Sequence, residues 1–320
     1  MRFALMCEPQ QGLSYEGLLA LARAAEAAGF ESFLRSDHYA SFPGPAGLPT
    51  TDAWTTVAGL ARETDHVGLG VLVSPVTFRH PGALAKIVAG AAEMSGGRVE
   101  LGMGAGWNAL EHRQHGLRFP VIGERFEMLE EQLAIVHGLW TEADGWSYEG
   151  RHWQVRDAQF RPRPPAPPGR AHPNLIVGGG GGPKVAALVA RYGDEINISS
   201  KGPAECAAAY GRVRDACRAI GRDPDELTYS VMAGVIVGHD QADFRRRVET
   251  LLEMLGGDQD AEAWLAERRS RWILGTPDEA RARVAEFAAA GAQRVMLQTL
   301  LPRDLDMVAL LGEIFPAVAA

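Results

Sequence analysis

Short runs of β-forming residues alternate with longer helical patterns along almost the whole chain, and this alternation restricts the fold more than any other feature. Phe3–Cys7, Ser32–Arg35, Val67–Val73, Arg98–Met103, Asn174–Val177, Glu195–Ile198, Leu227–Val237 and Arg294–Thr299 read as eight strands. Val67–Val73 is almost wholly apolar, as a strand buried on both faces is. Between the strands, Ser14–Ala28 carries Leu18, Leu19, Ala22, Ala25 and Ala28 at helical spacing and stops at Gly29. Asp52–Arg62 has Asp52 as an N-cap, and Pro81–Met94 has proline in its first turn. Val121–Leu139, a segment from Pro183, Pro203–Ile220, Ala242–Leu255, Ala261–Arg271, Pro277–Ala290 and Leu305–Val318 complete the helices. Strand–helix alternation implies parallel pairing with right-handed crossovers. Eight such units in a 320-residue chain predict an α/β fold, a (β/α)8 TIM barrel. An open doubly wound sheet is the alternative. Single barrels commonly exceed 250 residues, so residues 1–320 are expected to form one domain. The alternation breaks only between strands four and five, at about 141–173, where Gly145, Gly150 and a proline-rich stretch mark an excursion with Trp146–Val155 as a hairpin.

Composition narrows the partners. Hydrophobic residues make up 46% of the chain and charged residues 22%, ordinary values for a globular protein. The net charge of −8, with both signs interspersed, leaves no footprint for nucleic acid or an anionic membrane surface. No run of 18 apolar residues is present, so no membrane span is expected, and the first eight residues are too short an apolar stretch for a signal peptide. Cys7, Cys206 and Cys217 are too few for a disulfide framework and fit a reducing, cytoplasmic compartment as small buried hydrophobes. No Cys/His cluster has metal-ligand spacing, and no metal is expected.

In a barrel of this type the active site lies at the C-terminal ends of the strands. The glycine run Gly178–Gly182 follows an apolar strand and opens a helix at Pro183. Backbone N–H groups without side chains approach an anion closely, and a helix N-terminus adds its positive end. The run therefore reads as a phosphate anchor, with an unliganded flexible loop as the alternative. It lacks Rossmann spacing, because Asp194 lies too close and precedes the next strand. His38, beside Asp37 after strand two, is a candidate acid/base or a structural hydrogen-bonding group. The turn Gly104-Ala105-Gly106 lets backbone lie against a flat ring, or simply turns tightly. Trp107 is a pocket wall or a core residue, Glu111 and His112 read as a solvated helix face, and His80 as a turn residue. No acidic pair, Ser/His/Asp spacing or Walker lysine stands out, so the chemistry is expected to rest on a cofactor.

Ser36-Asp37-His38-Tyr39, Ser74-Pro75-Val76-Thr77-Phe78-Arg79-His80-Pro81, Leu101-Gly102-Met103-Gly104-Ala105-Gly106-Trp107 with Glu111-His112, Tyr148–Trp153, Pro173–Gly180, Ala190–Asp194 and Gly275–Glu279 together resemble the luciferase-like monooxygenase superfamily, from end to end of the chain. That superfamily includes coenzyme F-420 (deazaflavin) dependent oxidoreductases. The resemblance implies a barrel with an excursion and a reduced flavin or deazaflavin at the strand C-termini. It further implies that Asp37 contacts the ring region, that His38 is the acid/base, and that Gly104, Ala105 and Gly106 border the ring with Ser74 and Asn108. Gly178, Gly179, Gly180 and Gly181 would bind the phosphate. A cis-peptide bulge backing the ring would fall near Val71-Leu72. The sugar-phosphate dehydrogenase branch usually carries glutamate where Trp107 stands and tryptophan where Phe42 stands, and those departures argue against glucose 6-phosphate as substrate.

The leading expectation is an F-420-dependent oxidoreductase that moves a hydride between reduced deazaflavin and a small organic molecule. An FMN-dependent two-component monooxygenase, served by a separate reductase, is the alternative, and a non-catalytic flavin-binding protein the third reading. The resemblance also implies a homodimer.

Overall fold

The computed structural model describes residues 1–315. Its strands are β1 (Arg2–Cys7), β2 (Ser32–Arg35), β3 (Gly68–Pro75), β4 (Val99–Gly104), β5 (Trp146–Glu149), β6 (Gln154–Ala158), β7 (Asn174–Gly179), β8 (Glu195–Ser199), β9 (Thr228–Val237), β10 (Ile273–Gly275) and β11 (Arg294–Thr299). The helices are α1 (Tyr15–Ala27), α2 (Ala53–Glu63), α3 (Pro81–Ser95), α4 (Ala109–Gln114), α5 (Ile122–Thr141), α6 (Pro183–Tyr192), α7 (Pro203–Ala219), α8 (Gln241–Met254), α9 (Ala261–Arg268), α10 (Pro277–Ala289) and α11 (Leu305–Ile314). The expected last helix, Leu305–Val318, ends partly outside the described residues.

The parallel strands run β11-β1-β2-β3-β4-β7-β8, and β9 pairs with both β8 and β11, which closes an eight-stranded ring. This is the (β/α)8 barrel read from the alternation. The excursion carries β5 and β6 as an antiparallel hairpin, as expected. Strand β10 was not expected. It adds to the far end of β9, at Val235–Val237, beyond the residues that pair around the ring. Ser14 caps α1 through a 3.2 Å bond from the Gly17 N–H, and Asp52 caps α2 through a 2.8 Å bond from Thr55. Cys7, Cys206 and Cys217 are buried and unbridged. No helix among the described residues is long and apolar enough to cross a membrane.

The ring interior is layered. Ala4, Met6, Leu34, Leu72, Ile176 and Met296 form an apolar cluster inside the barrel, separate from the larger core between strands and helices. At the N-terminal ends of the strands the layer is ionic. Arg294 is fully buried and forks onto Glu100, with both contacts at 2.7 Å. It also reaches Glu195 at 3.0 Å and donates to the Ser32 hydroxyl at 2.8 Å. Asn174 donates to both carboxylates at 2.9 Å. Burial opposes ionisation of Glu100, but the Arg294 charge outweighs it and holds the carboxyl at about 2. The sequence hides this layer, because each member sits in a strand that otherwise reads as apolar.

Removing one partner of a buried ionic group leaves the others uncompensated, so Arg294→Met is expected to lose about 3–5 kcal/mol of stability in urea unfolding. The depressed Glu100 carboxyl contributes stability that is complete above its ordinary value of 4.5 and is lost as pH falls through about 2. Acid unfolding followed over that window should therefore be shallower in Glu100→Gln.

Candidate active site

The C-terminal ends of the strands open onto a cavity of about 630 Å³, within the range of ligand sites. Met6, Leu72, Val73 and Met232 give it an apolar floor, and Glu8, Ser36 and Gln298 give that floor a polar edge. Gln298 and Gln10 both donate to Glu8, and Gln10 accepts from the Ser36 hydroxyl at 2.8 Å, so these side chains hold one another.

Strand β3 breaks register between Val71 and Ser74, and the Leu72–Val73 peptide is cis. The bulge lies one residue beyond the expected Val71-Leu72. It thrusts Val73 between two neighbouring strands. A Cβ on Gly104 would meet one Val73 methyl at 2.7 Å, and a Cβ on Gly178 would meet the other at 2.6 Å. Both glycines are therefore required by the floor itself. Gly181 serves packing too, since a Cβ there would lie 2.5 Å from Ala209. Gly180 differs: no atom lies within 4 Å of its missing Cβ, and it borders the cavity just ahead of the α6 N-terminus.

His38 lines the cavity. Its Nδ1 lies 3.0 and 3.2 Å from the two oxygens of Glu111, whose side chain is 1% exposed. The Tyr39 N–H donates to the same carboxylate at 3.0 Å. The imidazole packs edge-on against Phe42, with ring centres 4.4 Å apart, and against Trp107 at 5.8 Å. With Nδ1–H committed to Glu111, Nε2 is left free to accept or deliver a proton. The reading of Glu111 and His112 as a solvated face is thus corrected. His112 is also buried: its Nδ1 donates to the Asn108 carbonyl at 2.7 Å and its Nε2 meets the Thr77 hydroxyl at 2.6 Å, pinning α4 to the loop after β3. Asn108 at the helix start and Glu111 three residues later form a recognisable helix-start pattern, but nothing local points Glu111 at His38, 73 residues away.

Leu72, Gly104, Ala105, Gly106, Gly178, Gly179 and Gly180 line the cavity with His38. Five other expected residues do not. Asp37 is buried behind the wall, where Arg79 grips it together with Asp52. Burial raises the Asp37 carboxyl and the Arg79 charge opposes that rise. Asp52 is half-buried, yet Arg79 and three hydrogen bonds hold it at about 2. Tyr39 closes the group, donating to Asp52 at 2.9 Å and accepting from Arg79 at 3.0 Å. Val71 packs in the outer core. Ser74 accepts the Trp54 indole N–H at 2.8 Å. Asn108 caps α4 through the Leu110 N–H at 3.0 Å. Gly181 faces Ala209.

The lining also includes Glu8, Gln298 and the trio Trp264, Arg268 and Trp272. Glu8 follows β1 and was findable by the strand-end rule. The trio comes from α9 and the loop after it, where no local pattern signals a cavity wall. Outside the cavity, His239, Asp243 and Asp306 bring ligand atoms within 4.8 Å of one another. Arg247 occupies that cluster, bonding Asp243 at 2.6 Å and Asp306 at 2.5 Å, and so supplies the positive charge itself.

The sequence model of the luciferase-like monooxygenase family matches residues 1–294. The chain belongs to this family. Among curated relatives, an F420-dependent glucose-6-phosphate dehydrogenase of Nakamurella multipartita is 28% identical over 95% of this chain and 92% of its own length. The pyrimidine monooxygenase RutA of Stutzerimonas stutzeri is 28% identical over 81% of this chain and 71% of its own. Among solved structures, an F420-dependent secondary alcohol dehydrogenase in complex with an F420-acetone adduct superposes with a TM-score of 0.81, covering 100% of this chain and 99% of that one at 20% identity. The family resemblance and the barrel read from the sequence are both borne out.

The contact between Val73 and its two glycines is testable by repacking. Gly104→Ala should cost about 1–3 kcal/mol in chemical denaturation. Val73→Ala in the same chain should return part of that loss, because it removes the methyl the new Cβ meets.

Proposed function

We propose that this protein is a coenzyme F-420-dependent oxidoreductase that transfers a hydride between the deazaflavin and a small organic substrate. The carrying observation is the His38–Glu111 pair, held at 3.0 Å on the wall of an apolar cavity. Kinship with F420-dependent dehydrogenases along nearly the full chain supports the choice of cofactor. The cavity fits a flat tricyclic ring: Leu72 and Val73 provide a bulged shelf, Gly104–Gly106 a side-chain-poor edge, and Gly180 open space beside a helix N-terminus. The first strand, Arg2–Cys7, pairs with the last, Arg294–Thr299, which supports a single catalytic domain.

When bound, the deazaflavin supplies the hydride. The protein's own residues do the rest. His38 delivers the accompanying proton from Nε2 to the substrate oxygen, or takes it in the reverse direction. Glu111 fixes the imidazole orientation through Nδ1 and stabilises the imidazolium formed when His38 holds the proton. Phe42 and Trp107 pack the ring edge-on and exclude water from one side. Gly180 and the first turn of α6 offer N–H groups to a phosphate. The reading disfavours glucose 6-phosphate as substrate despite the kinship, because Phe42 and the 65%-exposed Trp107 put indole and phenyl surface beside His38.

Titration of the purified apoprotein with oxidised F-420 and with FMN tests the cofactor. Saturable F-420 binding without FMN binding is expected; FMN binding alone would replace this reading with a flavin monooxygenase. His38→Ala should lower kcat by about 10²–10⁴ with F-420 affinity retained. Glu111→Gln should cost about 10–100-fold, through orientation rather than loss of the acid. Full turnover by His38→Ala would remove the proton-transfer role.

A further inference from the structure

The charged groups of the cavity are not equivalently satisfied. Glu111 is taken up by His38 and the Tyr39 N–H, and Glu8 by Gln10 and Gln298. Arg268 is the cavity's remaining charge and its single lining lysine or arginine among the described residues. Its guanidinium lies 4.2 Å over the Trp264 ring and 5.8 Å from that of Trp272, and the two indoles meet edge-to-face at 5.2 Å. Nη1 donates to the Trp264 carbonyl at 3.1 Å and to Glu267 at 2.9 Å. Nε and Nη2 have no hydrogen-bond partner among the described residues, and the Trp264 indole N–H is buried without an acceptor in the same cluster.

A guanidinium side edge with two free donors matches the two oxygens of a carboxylate. Stacking on indole fixes its plane in advance, which lowers the ordering cost of binding. Glu267 is a weak competitor: its side chain is 64% exposed, and exposed ion pairs contribute little. The aromatic surfaces around the guanidinium favour a singly charged carboxylate on an apolar body over a strongly hydrated dianion.

We propose that Arg268 anchors the substrate, and that the substrate is an apolar or aromatic carbonyl compound carrying one carboxylate. The carboxylate pairs with the Nε/Nη2 edge, the apolar body lies along Trp264, Trp272 and the floor, and the carbonyl presents to His38. In the reducing direction the carbonyl carbon gains the hydride of the reduced deazaflavin, its oxygen gains the His38 proton, and the products are a hydroxy acid and oxidised cofactor. This assignment rests on the cavity being the reaction site proposed above.

Binding measured without cofactor separates the two ideas. Three tryptophans line the cavity, so quenching of intrinsic fluorescence reports occupancy. The probes are 4-acetylbenzoate and its methyl ester, which share a ring and a ketone and differ in the charge. The wild-type protein should bind the acid about tenfold or more tightly than the ester. Arg268→Met should abolish that preference while leaving ester binding unchanged, and Arg268→Lys should restore it in part, since a point charge lacks the planar fork. Equal binding of the two probes, binding of neither at millimolar concentration, or an undiminished preference in Arg268→Met overturns the proposal. The comparison in wild-type protein needs no variant to fold. A retained acid preference in a protein that binds no F-420 would instead sink the cofactor reading and leave the carboxylate site standing.

Discussion

A single guanidinium ties the barrel together. Arg294, on the last strand of the ring, reaches across its interior to Glu100 on the fourth and Glu195 on the sixth, with Ser32 and Asn174 completing the set. Five strands that are distant in sequence thus meet in one layer. The cost of desolvating these charges is offset only when all are present, so the layer rewards one closed arrangement and penalises partial ones. Hydrophobic burial supplies most of the driving force. The ionic layer acts on register: a strand shifted by one residue would turn its carboxylate into the outer core.

This arrangement also divides the molecule into two ends with different chemistry. The closed end concentrates charge where no ligand reaches. At the open end, one cluster of charge sits behind the cavity wall, where Arg79 gathers Asp37, Asp52 and Tyr39. The cavity itself has a floor of methionine, leucine and valine, with Glu8, Glu111 and Arg268 as its charged lining. Electrostatic effects are stronger where a group is withdrawn from solvent, as the Glu111 carboxylate is. The His38–Glu111 contact is therefore worth more there than the same pair on a surface.

The ring of eight strands was legible because parallel strands buried on both faces leave nearly continuous apolar runs, and the helices between them keep a clear period. Ser32–Arg35 and Arg294–Thr299 needed no adjustment. Strand β10 was invisible because three residues carry no period. The site was legible in outline, since strand ends predict where side chains gather: His38, Gly104–Gly106 and Gly178–Gly180 follow from that rule. Which way each side chain points does not. Asp37 and His38 are adjacent yet lie on opposite sides of the wall, and only the packing of Arg79 and Glu111 decides which faces the cavity. Glu111 looked solvated because its partner is far away in sequence. The glycines looked like ligand contacts, whereas Gly104 and Gly178 answer to Val73, a demand that appears only when three strands are laid side by side.

Strand β9 runs three residues beyond what ring closure needs. Thr228–Gly234 pair with β8 and β11, and Val235–Val237 carry β10, next to the segment bearing Trp264, Arg268 and Trp272. The part that closes the barrel and the part that furnishes this wall thus hang from one strand, and Trp272 packs directly on Gly234, where a Cβ would meet its ring at 2.3 Å. Drift at Trp264 and Trp272, both members of the main core, is therefore felt by the scaffold, whereas Arg268 is freer to vary. A lineage built on this plan can trade one ligand for another at Arg268 while the His38–Glu111 pair is inherited intact.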